Sequence, residues 1–405
     1  MNPAERKLIS YIVAAHALTH ITELSYAVLL TRIQEDFGTR DVVMGALATV
    51  FGWTFGSSAI PAGFLTDRLG SRRVLVYAFA GSSVMAVLVG LSPNAWVLAA
   101  TLAGLGLTIG LYHPAGLSAV AQGMSRRGIG LGFHGVAGNL GQALAPAIAL
   151  GLAIAVDWRA GFFCIAGLSA LLAIILSRAH LPVHGDSEVL SAEEVVEPVQ
   201  EGSATVTNRL LTPLLLTYGA FVVGGIVYRG VITYLPKHLE EMVSEDFGGA
   251  FVTVALIMGA VGQLLGGWLS QGLRLERMAP VIAAAAVPAL ILTAMLSGAL
   301  LVIASSAFVF FYFANQPVFT GLIADYTPPG AVGRSYGVSF FAGFGIGSLG
   351  GVIAGALVDT WDTEAAFWGL SVFMALVVAL SFALWALAER RYRDVNLATA
   401  VGSAP

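Results

Sequence analysis

The sequence predicts an all-α membrane protein with twelve transmembrane helices arranged as two pseudo-symmetric six-helix halves. Apolar residues make up 57% of the 405 residues and charged residues only 11%, whereas a soluble domain carries about 25% charged residues. Apolar runs of about 20 residues, the length at which a helix spans a bilayer, recur along the whole chain. The first half of the chain also shares several polar positions with the second half.

The apolar runs form two groups of six, separated by an acidic segment without lysine or arginine. We therefore expect an N-terminal bundle at 1–182, a solvated linker at 183–208, a C-terminal bundle at 209–390 and a tail at 391–405. The predicted spans lie at 8–30, 41–64, 73–91, 95–117, 128–155, 159–180, 209–234, 247–270, 279–297, 299–325, 333–357 and 364–388.

The distribution of lysine and arginine predicts the orientation. An even number of spans places both termini on one side of the membrane. Fifteen lysines and arginines fall on that side, and only four fall on the other: Arg32, Arg40, Arg159 and Lys237. Because cytoplasmic loops are enriched in these residues, we expect a multi-pass protein of the cell (inner) membrane with both termini in the cytoplasm.

The internal repeat has an offset of about 204 residues. Residues 63–66 (Gly-Phe-Leu-Thr) correspond to 267–270 (Gly-Trp-Leu-Ser), and residues 112–114 (Tyr-His-Pro) correspond to 315–317 (Asn-Gln-Pro). A parallel six-plus-six repeat places substrate between the halves near the middle of the bilayer.

A charged hairpin lies between the second and third spans. Residues 63–73 read G-F-L-T-D-R-L-G-S-R-R. Glycines permit a sharp turn between closely packed helices, and arginines suit a cytoplasmic interface. We expect this hairpin to act as a conformational latch through Gly63, Asp67, Arg68, Gly70, Arg72 and Arg73.

Few ionisable residues lie deep within a span, where each one costs on the order of 2.5–3.5 kcal/mol on insertion scales. His16, His20 and Glu23 share one face of the first helix. The repeat places Arg229 of the seventh span opposite Glu23. We expect His16, His20 and Glu23 to couple transport to protons, the alternative being a static ion pair between Glu23 and Arg229 that fixes packing.

A metal site is the second interpretation of the same face. Two histidines one turn apart with a carboxylate, His16, His20 and Glu23, resemble a divalent-metal ligand set. The chain has no H-E-x-x-H string, and His113 and His134 are expected to lie too far from this face. The main expectation is therefore that the protein has no metal and no cofactor.

Arg229 is expected to contact the substrate, and His113 is expected to line the cavity, because Pro114 kinks its helix. We also expect substrate contacts from Tyr112, Asn139, Asn315 and Gln316. His134 lies on a glycine-rich helix face whose small residues predict close helix packing.

The hairpin at residues 63–73 resembles the loop between helices 2 and 3 of the major facilitator superfamily, G-x-x-x-D-R-x-G-R-[RK]-[RK], with Ser71 as the one departure. Within that superfamily the chain is most similar to the fosmidomycin-resistance group of efflux proteins. That resemblance depends on Ala15-His16, on Tyr112-His113-Pro114 and on residues 135–146. Ala115 and His20 stand where the group has acids.

The resemblance implies a secondary active transporter with the major facilitator fold. We expect proton-coupled efflux, by antiport, of a small organic compound that is anionic or drug-like. The alternatives are proton-coupled uptake of an organic anion by symport and, third, transport of a divalent metal. We expect the protein to act as a monomer, without nucleic acid and without enzyme activity. The single cysteine, Cys164, excludes an intrachain disulfide.

Overall fold

A computed structural model of the chain describes residues 1–125, 127–179, 204–245, 247–327 and 332–402. The described residues are helical, with short turns between the helices and no strand among them. Residues 183–203 of the predicted linker lie outside the described residues, and residues 204–208 already belong to a helix. The last helix continues to residue 402, so most of the predicted tail is helical.

Among the described residues, eight helices form the N-terminal group. They are α1 (Pro3–Val28), α2 (Leu30–Phe37), α3 (Asp41–Leu69), α4 (Ser71–Gly90), α5 (Ala95–Gly110), α6 (Tyr112–Gly123), α7 (Arg127–Ala155) and α8 (Trp158–Arg178). In the described part of the second half, seven helices form the C-terminal group. They are α9 (Ala204–Met242), α10 (Val252–Leu269), α11 (Leu275–Met295), α12 (Gly298–Tyr326), α13 (Val332–Phe340), α14 (Leu349–Thr360) and α15 (Thr363–Gly402).

These helices account for the predicted membrane spans. Eleven helices of the described chain are long and apolar enough to cross a bilayer, and there are twelve if the bent pair of α1 and α2, which meet at 47°, counts as one. The helices α5 and α6 together form one span, and so do α13 and α14 with the π-helical and 3₁₀ turns between them. The predicted all-helical membrane fold is confirmed.

The ends of the helices follow from local sequence. Asn94 and Asp157 accept hydrogen bonds from the first backbone N–H groups of α5 and α8, which have no partner within the helix. Gly70 has a φ of +81°, a conformation that glycine adopts without steric cost. The predicted hairpin between the second and third spans is thus confined to Gly70, and Asp67 lies in the last turn of α3.

Large apolar side chains on the outer surface mark the part of the protein that faces lipid. Trp96, Val156, Phe64 and Val372 are among the most exposed. A soluble protein rarely exposes so much contiguous apolar surface. We attribute this surface to contact with acyl chains, because the helices are long and apolar enough to cross a bilayer.

The N-terminal and C-terminal helices meet closely at the membrane face opposite the chain termini. Here the backbones of α3 and α14 lie so close together that a Cβ added at Gly45 would collide with the backbone of Gly351. Thr49 Oγ1 donates a hydrogen bond of 2.8 Å to the carbonyl oxygen of Ser348, and Ser348 Oγ donates one of 3.1 Å to that of Thr49. We call this contact the α3–α14 seam.

Charged residues complete the seam at the surface. Asp359 of α14 accepts hydrogen bonds of 2.7 and 3.1 Å from the backbone N–H groups of Asp41 and Val42. It therefore caps α3, whose own N-cap residue makes no side-chain cap. Lys237 Nζ of α9 lies 2.6 Å from Asp41 Oδ1, and Arg40 lies 3.5 Å from Asp359. These contacts close this face between the two groups of helices.

The predicted latch residues lie at the other face. Asp67, Arg68 and Arg73 are exposed, and a Cβ at Gly63 would meet no atom within 4 Å. Arg72 Nη1 donates a 3.2 Å hydrogen bond to the carbonyl oxygen of Ala179, which follows α8. Arg72 therefore joins α4 to the end of α8.

Candidate functional site

A buried ion pair joins α1 to α9 in the interior of the molecule. Arg229 Nη2 donates to Glu23 Oε1, and the other carboxylate oxygen, Oε2, lies 2.5 Å from His20 Nδ1. The side chains of Glu23 and Arg229 are 1% and 9% exposed. Removing a single ion from water costs several kcal/mol, which a close partner with further hydrogen bonds offsets. The predicted contact between Glu23 and Arg229 is confirmed.

Aromatic rings complete the surroundings of Arg229. Its guanidinium carbon lies 4.8 Å from the centre of the Phe344 ring, which is within the range of a cation–π interaction. The neighbouring Tyr228 stacks on Tyr312, with ring centres 4.6 Å apart. The arginine therefore has one carboxylate and one aromatic face as partners, and it borders a cavity.

That cavity lies among the C-terminal helices, has a volume of about 70 Å³ and borders α7 at Gln142. Asn315 and Gln316, both predicted from the repeat, contribute to its wall. Asn315 Nδ2 donates to the carbonyl oxygen of Ala279, but Asn315 Oδ1 and Gln316 Oε1 are buried and have no hydrogen-bond partner among the described residues. A buried acceptor without a partner is costly, so these oxygens are suited to a ligand that donates hydrogen bonds. The wall consists of Gln142, Ala220, Phe221, Gly224, Tyr228, Arg229, Tyr312, Phe313, Asn315, Gln316, Phe319, Gly343, Phe344, Met374 and Val377.

Four histidines lie beside the ion pair, on the side of the N-terminal helices. His16 Nε2 is 3.1 Å from His20 Nε2, and His16 Nδ1 is 2.6 Å from the carbonyl oxygen of His134. The rings of His16 and His134 stack at 3.7 Å, and the ring of His113 meets those of His16 and His20 edge to face at 5.4 Å. The expectation that His113 and His134 lie too far from the first helix is wrong, because α6 and α7 both pack against α1.

The hydrogen bonds fix the proton positions on two of these rings. A carbonyl oxygen only accepts, so His16 Nδ1 carries a hydrogen. Glu23 is paired with Arg229 and therefore ionised, so His20 Nδ1 donates to it. The two Nε2 atoms are left facing each other.

The break between α5 and α6 positions His113. Leu111 separates the two helices, and Pro114 lies in the first turn of α6, where its missing N–H breaks the continuous helical hydrogen bonding. The helix is interrupted at Leu111, three residues before Pro114, and the kink itself stays a prediction. His113 is buried, and its Nδ1 has no hydrogen-bond partner among the described residues.

The remaining predicted residues lie away from the cavity. Tyr112 is fully buried, and its hydroxyl donates a 3.1 Å hydrogen bond to the carbonyl oxygen of Ile12. Asn139 Nδ2 donates a 2.8 Å hydrogen bond to Gln263 Oε1, which joins α7 to α10. On the glycine-rich face of α7, Gly138 and Gly141 allow the close approach of α1, whereas a Cβ at Gly132 or Gly135 would meet no atom.

Several residues of the site were not anticipated from the sequence. Gln142, Phe344 and Phe313 line the cavity, and Gln263 is the partner of Asn139. Gln142 follows Asn139 by three residues on α7, so helical spacing alone could have found it. The two aromatic residues resemble many others in the apolar spans and carry no such signal.

One string in the C-terminal helices resembles a hydrolase motif. Residues 333–337 read Gly-Arg-Ser-Tyr-Gly, which matches G-x-S-x-G. That motif requires a turn between a strand and a helix, whereas these residues lie within α13. Ser335 Oγ accepts a 2.8 Å hydrogen bond from Thr327. Residues 333–337 therefore lack the turn between a strand and a helix that a catalytic serine of this type requires.

A bundle of membrane-spanning helices with an ion pair buried between its N-terminal and C-terminal groups is the construction of a membrane transport protein. The sequence profile of the Major Facilitator Superfamily matches residues 12–351. The chain belongs to this superfamily, whose proteins are transporters and not enzymes.

Two of the relatives that are named for a substrate are galactonate transporters. The chain is 24% identical over 282 residues to the probable L-galactonate transporter of Escherichia coli (strain K12), a match that covers 66% of this chain and 62% of the relative. It is 23% identical over 402 residues to the D-galactonate transporter of Escherichia coli O6:H1, covering 91% and 92%. The similarity to the fosmidomycin-resistance group stays a prediction, because these relatives support the superfamily alone.

A solved structure shows the same fold. The crystal structure of a bacterial homologue of the human lysosomal transporter Spinster, in an inward-facing and unoccupied conformation, superposes with a TM-score of 0.79. The superposition covers 96% of this chain and 98% of the other, at 16% sequence identity. The likeness is therefore one of fold.

Proposed function

We propose that this protein is a secondary active transporter that carries a small organic anion across the membrane, with Arg229 as the counter-charge. The observation that supports this most directly is that Arg229 borders the cavity among the C-terminal helices while its only carboxylate partner in the described chain is Glu23. A carboxylate of the substrate and the carboxylate of Glu23 are alternative partners for the same guanidinium. The names of the galactonate relatives agree with an anionic substrate.

Competition between the substrate carboxylate and Glu23 for Arg229 favours symport over antiport. An anion that takes Arg229 leaves Glu23 as an unpaired charge in an apolar interior, which is strongly unfavourable. Protonation of Glu23 removes that charge. Anion and proton therefore bind together and move in the same direction, whereas antiport requires them to exclude each other. On this basis we place proton-coupled uptake above the efflux expected from the sequence.

Alternating access follows from the seam described above. We propose that residues 1–182 and 209–390 rock against each other, that both termini lie in the cytoplasm of the cell (inner) membrane, and that the protein works as a monomer. The α3–α14 seam then closes the outer face. Asp67 and Arg68 would latch the cytoplasmic face in the opposite state.

The test is uptake of radiolabelled D-galactonate into liposomes that contain the purified protein, with D-galactose as the neutral control. We expect uptake of the acid, driven by a proton gradient directed inward, and none of the sugar. Arg229→Gln should lower the initial rate at least about tenfold, and Glu23→Gln should retain exchange of substrate but lose the effect of the proton gradient. Transport of the neutral sugar, or accumulation driven by an outward proton gradient, would contradict the proposal.

A further inference from the structure

The histidine cluster contains an arrangement that the proposed function does not use. His16 and His20 lie one helical turn apart on α1. The Nδ1 atom of each ring makes a hydrogen bond to an acceptor on another residue. For His16 the acceptor is a backbone carbonyl, and for His20 it is the carboxylate of Glu23. These are the two acceptors that most often hold the second nitrogen of a metal-bound histidine, because they fix the ring orientation and increase the basicity of the other nitrogen.

These contacts at Nδ1 leave the Nε2 atom of each ring for another partner. The Nε2 atoms of His16 and His20 face each other across 3.1 Å. That separation suits a hydrogen bond when one of the two nitrogens carries a hydrogen, and it also suits a cation that replaces this hydrogen. A zinc ion bound at 2.0–2.1 Å by two imidazoles in tetrahedral geometry holds their nitrogens about 3.3–3.4 Å apart. The observed separation is close to that value.

His113 supplies an independent third nitrogen. One ring nitrogen of each of His16, His20 and His113 lies within 4.8 Å of the others. His113 is more than nine-tenths buried, and its Nδ1 has no hydrogen-bond partner among the described residues. A rotation of this ring toward the pair on α1 would bring the third nitrogen into reach of an ion. The ligand set differs from the one expected from the sequence, because His113 takes the place of Glu23.

The charges beside the cluster permit a cation. Glu23 has one oxygen on Arg229 and the other on His20, so neither oxygen is free to bind a metal directly. The same contacts neutralise Arg229, which would otherwise repel a positive ion. The remaining neighbours are uncharged rings, those of Tyr112, Phe55, Phe340 and His134.

We propose that His16, His20 and His113 form a binding site for a borderline transition-metal cation, of which Zn²⁺ and Co²⁺ are the probes. Imidazole nitrogens suit zinc, copper, nickel and iron, whereas magnesium and calcium require oxygen ligands that this cluster lacks. Glu23 and the carbonyl group of His134 act as outer partners that orient the two ligands on α1. The proposal does not depend on which anion is transported or on how transport is coupled.

Equilibrium dialysis of the purified full chain, free of any added histidine tag and stripped with a chelator, tests the proposal with Zn²⁺ alone. We expect one ion per chain. His16→Gln, His20→Gln and His113→Leu should each weaken binding at least about tenfold, the lower end of the range for losing a supporting contact. His238→Gln is the matched control, because His238 is also buried but bonds Thr363 and the carbonyl oxygen of Thr293, away from the cluster.

Co²⁺ gives a readout that needs no variant and no transport. Bound by three imidazoles at low coordination number, it should show the intense visible absorption that distinguishes it from the weakly coloured hexaaqua ion, and Zn²⁺ should abolish that absorption. The proposal is overturned if wild-type protein binds neither ion, if the spectrum stays that of the hexaaqua ion, or if His238→Gln weakens binding as much as His113→Leu. A proton is then the only cation between His16 and His20.

Discussion

Glu23 and Arg229 stabilise each other's charge in the membrane interior. Either charge alone would destabilise the protein. Breaking a buried pair from one side leaves an uncompensated charge, which destabilises a protein by about 3–5 kcal/mol, whereas removing both charges is far less costly. The same asymmetry explains why two ionisable residues persist in spans that otherwise exclude them.

This asymmetry gives a stability prediction. Glu23→Gln and Arg229→Gln should each lower the thermal unfolding midpoint of the purified protein, and the double variant should lie closer to wild type than either single variant. Scanning fluorimetry in one detergent measures all four proteins. Ser57→Ala is the control, because Ser57 is partly exposed and bonds only its own helix. Additive losses in the double variant would show that the two charges do not interact.

Some residues of the site could be predicted from the sequence and others could not. Glu23 and Arg229 stand out because charge is rare in apolar spans, and their contact follows from the repeat. The histidine cluster could not be assembled from the sequence, since His16 and His134 are 118 residues apart and nothing in the apolar pattern says that α7 lies against α1. The aromatic wall of the cavity is hidden for a related reason: aromatic residues occur on every face of these helices.

At the scale of the helix, the spans were well predicted and their ends less so. Hydropathy finds the apolar stretch, but a helix continues until a residue stops it. α3 therefore runs on through Asp67 to Leu69 before Gly70 ends it, and α9 runs to Met242, beyond the predicted limit of residue 234. What hydropathy cannot supply is the neighbour of each helix, and the pairing of α3 with α14 came only from the structure.

That pairing gives the prediction for the elements. Gly45→Val should separate α3 from α14, because any side chain there meets the backbone of Gly351, and overpacking of this kind costs about 1–3 kcal/mol. With Cys164→Ser as background and Thr49→Cys as reporter, labelling by a membrane-impermeant maleimide from the outer side should accelerate.

The matched control is Gly135→Val on α7, where a new Cβ meets nothing within 4 Å. It should leave the labelling rate of the reporter unchanged. Equal acceleration by both substitutions would mean that the effect comes from helix propensity or general destabilisation and not from the seam.

At the scale of the whole molecule, the two membrane faces are held by different chemistry. One face is closed by the seam and by the ion pair of Lys237 with Asp41; the other exposes Asp67 and Arg68. If the two faces alternate, residues that stabilise one state must weaken the other, so substitutions at opposite faces should have opposite effects.

The corresponding prediction uses the same reporter. Lys237→Gln removes an ion pair whose side chains are only 14% and 11% exposed. A loss of at least about 1 kcal/mol, the upper value for an exposed pair, should raise the labelling rate at Thr49→Cys at least about fivefold by shifting the population toward the outward-open state. Asp67→Asn should lower that rate, and the double variant should lie between the two. A shift in the same direction from both substitutions would argue against an exchange between the two faces.

The hydrogen bond between His20 and Glu23 has a consequence for biosynthesis. Arg229 follows Glu23 by 206 residues, so at about 5–20 residues per second the ribosome adds it roughly 10 to 40 s later. During that interval the first span already has to enter the lipid with its acid. His20, three residues away on the same helix, is the partner present from the outset. We infer that His20 stays hydrogen-bonded to Glu23 while the first span enters the membrane and until the seventh span is made.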